Sequence, residues 1–172
     1  MSTEELRQAA KFMNEVGMAA SMIEKGEEVP VNILLVGLPE EAEQGHQVVC
    51  SPMDMEEEGG FSEYIQLYYE IPIEIDGIDR ISIFHVINEF NSLVPVGHFV
   101  YSDKKEQRER VYIRHTLSYD IDEELSPYVL CECIQSILEY SKLMEEILAG
   151  LASGMELEHA LKIEGLEPFM EV

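Results

Sequence analysis

The chain has 172 residues, 46% of them apolar, which is enough to bury the core of one domain and too apolar for a disordered chain. Its 35 acidic and 11 basic side chains leave a formal charge of −24, and a surface of that sign repels phosphate backbones and anionic lipid. Nucleic acid and membrane surfaces are therefore excluded as expected partners.

Three cysteines, Cys50, Cys131 and Cys133, are too few and of the wrong parity for a disulfide framework, and a reducing compartment is expected. The opening "MSTEELRQAAKF" lacks the basic and then apolar segments of a secretion signal, and no apolar run reaches the roughly 20 residues that span a bilayer. The expected location is cytoplasmic. One domain over residues 1–151 and a tail over 152–172, a short helix or a partly disordered end, is the expected organisation.

In chain order, Leu6, Ala9, Met13, Val16, Ala20 and Ile23 recur at helical spacing behind Ser2 and Thr3 as N-caps. Phe12, Met18 and Met22 lie off that stripe, so helix one is apolar around more of its circumference than one buried face needs, as in adaptable partner-binding helices. "NILLVG" is a strand apolar on both parities, carrying Ile33 and Leu35, and "HQVVCS" is the next. "EYIQLYYEIPIEI" alternates strictly, with Ile65, Leu67, Tyr69 and Ile71 on one face, and Pro72 marks an edge or an irregular end.

Asp79 caps a second helix with Ile83, Ile87, Phe90 and Val94 in its stripe, and Pro95 with Gly97 turns the chain into the strand "GHFVYS". Asn88 and Asn91 near that helix end are assigned to the backbone of the adjoining turn. "RVYIRHTLSYDI" is a further strand, on which His115 shares the parity of Val111 and Ile113. A long helix opens at Ser126-Pro127, carries Leu130, Ile134, Ile137, Ser141, Met144 and Leu148, and closes at "AGLASG". The predicted fold is α+β, a mostly antiparallel five-stranded sheet with helices packed on it, in the order α-β-β-β-α-β-β-α.

Five basic residues fall in "DKKEQRERVYIRH". Lys104, Lys105, Arg108 and Arg110 there form a candidate electrostatic docking site for an acidic segment. Motifs that carry chemistry are weak. Cys50 has no nucleophile-elbow glycines around it, and CxxC, HxxxH, GxxxxGK and GxGxxG are absent, so neither a metal nor a cofactor is expected.

"VINEFNSLVPVGHFVYSD" followed by "VYIRHTLSYDID", with a long helix ending "LMEEILAGL", resembles the YbjN-like family of bacterial sensory transduction regulators, which shares the fold of type III secretion chaperones. The likeness is concentrated in residues 83–121. It implies a small, acidic, frequently dimeric protein without enzymatic activity that binds an extended partner segment along the sheet and first helix. Two readings follow. The first is a non-catalytic protein-binding module, a homodimer of chaperone or regulatory type, holding an apolar protein segment through Phe12, Met18, Met22, Ile33 and Leu35, by strand addition at a sheet edge or in a helix groove. The second is a small hydrolase or metal-dependent enzyme built on Cys50 and the histidines.

Overall fold

Ser2 opens the first helix by accepting a hydrogen bond from the Glu5 backbone N–H at 3.2 Å, while the Glu5 carboxylate takes the Ser2 N–H at 2.6 Å. This reciprocal capping satisfies two donors that the first turn would otherwise leave unpaired. The other Glu5 oxygen accepts from the Leu125 N–H at 3.4 Å. In this computed structural model, residues 2–27, 29–53, 62–103, 108–120 and 122–162 are described.

The elements in chain order are α1 (Thr3–Glu15), β1 (Ala19–Ile23), β2 (Ile33–Gly37), α2 (Pro39–Ala42), β3 (Val48–Met53), β4 (Ser62–Glu70), α3 (Arg80–Leu93), β5 (His98–Ser102), β6 (Arg110–Asp120), α4 (Pro127–Ala152) and α5 (Leu157–Ala160). The sheet has six strands in the order β1-β2-β3-β4-β6-β5, and the β1-β2, β2-β3 and β3-β4 pairs are antiparallel. The α+β class is as expected from the sequence. The strand count is corrected from five to six, because helix one ends at Glu15 and not with the periodic pattern at Ile23.

Gly17 is the reason. It adopts φ +90°, a conformation that only glycine takes without strain. The N–H of Met18 then reaches the carbonyl of Met13 at 3.0 Å, and that of Gly17 reaches Asn14 at 3.2 Å. This is the Schellman closure, with buried Met18 against buried Met13 as its apolar contact. The chain reverses and Ala19–Ile23 returns as a strand, so Ala20 and Ile23 belong to β1 rather than to a helical stripe. The same closure ends α4, where Gly154 at φ +87° lets the Met155 N–H reach Gly150 at 3.0 Å.

The chain forms two compact units, each made of two separate stretches, with β4, β6 and α4 running through both. In the unit of residues 1–69 and 114–138, fully buried Leu6 and Met13 of α1, Leu34 and Val36 of β2, Val48 and Cys50 of β3, Ile65 and Leu67 of β4, and Leu130 and Ile134 of α4 supply the core. Burial on alternate positions of β2 and β4 follows the two-residue periodicity of a strand. In the unit of residues 70–113 and 139–172, Phe90 and Phe99 meet edge to face at 5.4 Å among buried Ile71, Ile83, Val86, Met144 and Leu148. Regular strand structure stops at Glu70, two residues before Pro72. The expected Asp79 cap is present, its carboxylate accepting from the Ser82 N–H at 3.1 Å.

Two asparagines perform one task in the two units. The Asn91 amide donates to the Phe99 carbonyl at 3.1 Å and accepts from the Phe99 N–H at 2.6 Å. The Asn14 amide donates to the Ala20 carbonyl at 2.9 Å and accepts from the Ala20 N–H at 3.0 Å. Phe99 lies on β5 and Ala20 on β1, the two edge strands. Each amide thus presents to its edge residue the donor and acceptor that a further strand would bring.

Asn14→Ala should lower unfolding free energy by about 1 kcal/mol, since water partly replaces the amide at exposed Ala20, and Asn91→Ala by about 1–3 kcal/mol, since its bonds to Phe99 are partly buried. Urea denaturation of each variant checks this. Burial acts to raise the Glu5 carboxyl, but hydrogen bonds from Ser2 and Leu125 outweigh it and hold the group below its ordinary 4.5. A carboxylate lowered on folding stabilises above its unfolded value, and the contribution fades as pH falls through the folded one. Glu5→Gln should therefore be less stable than the parent at pH 7, with the two urea midpoints converging as pH drops below the ordinary carboxylate range.

Candidate interaction surfaces

The residues singled out in the sequence do not form one surface. Directly opposed residues of paired strands share a face, and Ala20 opposes Val36 while Met22 opposes Leu34. Because Val36 and Leu34 are fully buried, Met22 points to the core side. Met18 is buried, and its sulfur lies 3.9 Å from the Cys131 Sγ. Neither methionine is on helix one, so the expectation of a spare apolar helix surface through them is corrected. Phe12 is on the helix, half-buried, with its ring edge-on to Tyr128 at 4.6 Å.

Other exposed apolar side chains stand close to this ring pair along the chain. Val16 follows four residues later on the same side of α1 and is 50% exposed, while Tyr128 and Val129 in the first turn of α4 are 68% and 46% exposed. Tyr128 and Val129 were not singled out from the sequence. They occupy positions next to a helix start, where periodicity says little about which side is covered.

Ile33 and Leu35 belong to the opposite side. They alternate with buried Leu34 and Val36, and β2 is paired on both flanks by β1 and β3, so they sit within the sheet and not at its edge. Register places Ser21, Leu35, Val49 and Tyr68 in one row across four strands, with Ile23 opposite Ile33, Ser51 opposite Gln66 and Met53 opposite Tyr64. Every one of these side chains is uncharged, and all keep some solvent exposure. In a chain with 27% charged residues and 35 carboxylates, that is an unusual stretch of surface. A solvated sheet face ordinarily alternates into polar and charged residues.

The basic cluster is engaged within its own unit. Arg108 and Arg110 donate to the two oxygens of Glu70, each at 3.0 Å. Arg80 pairs with Asp103 at 3.4 Å and with Glu109, whose carboxyl is lowered by hydrogen bonds from Tyr101 and Arg80. Lys104 and Lys105 lie outside the described residues. Arg108 remains exposed, but a guanidinium already bonded to one oxygen of Glu70 offers less to an incoming carboxylate than a free one.

The residues of the enzymatic reading are scattered in character. Cys50 is fully buried on β3, and burial pushes its thiol far above the ordinary range. A nucleophile needs the opposite shift. Cys131 and Cys133 are buried and likewise raised, first by desolvation and then by the charge of Glu132. His85 is exposed beside Glu89 at 3.6 Å, and His98 is exposed on β5. Among the described residues no group of three His, Cys, Asp or Glu side chains is placed to hold a metal ion, and no helix is long and apolar enough to cross a membrane.

No family model and no curated protein matches this chain. Among solved structures it is similar to YbjN from E. coli, with 10% identity, a TM-score of 0.48, and coverage of 87% of this chain and 92% of that one.

Burial makes the thiols a direct check on the surfaces just described. In the folded protein at pH 8 none of the three cysteines should react with Ellman's reagent on the mixing timescale, and all three should react once the chain is unfolded in guanidinium. A thiol that reacts at once in the folded state would reopen the nucleophile reading.

Proposed function

We propose that this chain is a non-catalytic protein-binding module of the chaperone or regulatory kind, holding an apolar segment of another protein against the helical side of the 1–69 and 114–138 unit. The observation that carries the reading is the Phe12–Tyr128 ring contact between α1 and α4, with exposed Val16 and Val129 near it along the chain. Contiguous exposed apolar surface flanked by charge is characteristic of interaction sites. Two aromatic rings supply large contact area with few rotatable bonds, which suits them as anchors.

The mode of contact follows from the edges. Asn14 occupies the backbone groups of Ala20 through which an added strand would pair on β1, so recognition by strand addition there would first have to displace that amide. Side-chain docking of an amphipathic helix or an extended apolar segment needs no such displacement. The charge of −24 favours a segment whose flanks are basic, because long-range attraction raises the encounter rate and rejects acidic competitors. A homodimer presenting two such surfaces is compatible with this reading, and the protein is read as having no enzymatic activity of its own.

The test is a comparison of the parent with Val16→Asp and Tyr128→Ala. Partners captured by the parent are purified and their affinity measured by titration calorimetry. Each variant is expected to lose tenfold or more in affinity, on the order of 1.4 kcal/mol or above, with an unfolding midpoint close to the parent's because both side chains are exposed. Partners that bind both variants as tightly as the parent would refute this surface.

A further inference from the structure

The Asn14 amide accepts from the Ala20 N–H at 3.0 Å and gives its own N–H groups to the carbonyls of Ala20 and Ala10, each at 2.9 Å. Anchored to its own helix through Ala10, it stands where the backbone of a further strand would stand beside β1. We infer that this side chain is an autoinhibitory latch. Closed, it denies the β1 edge to an incoming extended chain; open, it turns β1 into a strand-acceptor site.

Register shows how much of the edge one amide controls. Backbone groups of an antiparallel strand point alternately to one flank and the other. Ala20 turns its pair outward to Asn14, so Ser21, opposite Leu35, turns its pair inward to β2, and Met22, opposite Leu34, turns its pair outward again. Met18, the next residue of that parity, already spends its N–H on the Met13 carbonyl. Ala20 and Met22 are therefore the residues of β1 through which a strand could be added. An arriving antiparallel segment would exchange a pair of hydrogen bonds with each of them, and the latch removes the pair at Ala20.

For the β1 strand of another molecule the loss is complete. Antiparallel pairing about a two-fold axis at Ser21 sets Ala20 of each copy opposite Met22 of the other, so every bond formed uses a group of Ala20. The strand "AASMI" itself carries neither charge nor proline to discourage such pairing. All three bonds of the amide lie at the surface, where water competes for them, and opening the latch needs no rearrangement of the core.

Sedimentation equilibrium of the full chain at about 500 mM NaCl, where repulsion between acidic molecules is screened, tests the latch, with β1 of a second copy as the probe strand. Asn14→Ala should self-associate at least tenfold more tightly than the parent, and hydrogen exchange should slow at residues 19–23 as its concentration rises. Asp79→Ala, which loses a helix cap in the other unit and leaves β1 untouched, should match the parent and so separates edge opening from lost stability. Ala20→Pro added to Asn14→Ala removes the outward N–H, which β2 does not use, and should return association to the parent's level. Should Asn14→Ala fail to fold by circular dichroism, Asn14→Asp keeps an acceptor for the Ala20 N–H but withdraws the donor from its carbonyl, and should self-associate at least threefold more tightly than the parent. Latch variants that associate no more tightly than the parent overturn the inference. So do an equal rise in Asp79→Ala, undiminished association with Ala20→Pro present, or a parent that gains protection at residues 19–23 with concentration. Val16 and Tyr128 take no part in these measurements, so the helical surface is judged separately.

Discussion

The reversal at Gly17 and Met18, held by the Asn14 amide, is the constraint on which the available surfaces depend. The Schellman closure turns the chain within two residues, and Asn14, on the last full turn of α1, bonds both backbone groups of Ala20. Helix and returning strand are thereby stapled to one another by bonds between residues near in sequence. Once β1 is held beside β2, Met18 and Met22 are committed to the core side, and Ser21 and Ile23 to the open side. The same staple occupies backbone groups on the outer flank of β1, so what remains for recognition is side-chain surface.

Both edge strands are treated alike. Asn91 holds Phe99 in the other unit as Asn14 holds Ala20, although the two asparagines come from different helices and meet strands of different sequence. Edge strands are liable to pair with other chains, and proteins commonly blunt them with lysine, proline or a bulge. Neither "AASMI" nor "HFVYS" contains lysine or proline, and the carboxamide, carrying donor and acceptor on one rigid plane, serves in their place.

Charge is distributed with a corresponding economy. Carboxylates crowd the surface, yet Glu70 is matched by two arginines, Glu5 by the start of α1 and the Leu125 N–H, and Glu63 by the Tyr119 hydroxyl. These carboxylates are partnered, and the row that runs from Ser21 through Leu35 and Val49 to Tyr68 carries none. Repulsion among the others keeps molecules apart in general and leaves the uncharged rows as the places where approach is least opposed.

Much of this molecule was legible in the residues. The Asp79 cap, the Asn91 bonds, the Ser126-Pro127 start of α4, its buried stripe and its glycine closure follow from local chemistry, in which a few neighbouring residues suffice. The helix that was drawn too long shows where that stops. Ala20 and Ile23 continue the 3.6-residue spacing of the helix but fall on opposite faces of β1, and Gly17 marks a boundary only if the chain after it has something to pair with, which β2 provides. That Ile33 and Leu35 share a face with Val49 and Tyr68, and not with Phe12, is a matter of register between strands distant in sequence. Local capping, periodicity and composition are properties of short stretches, and the sequence alone determined them. Which side each side chain faces, and which apolar residues join into one surface, are decided by long-range pairing, and only the tertiary structure could settle them.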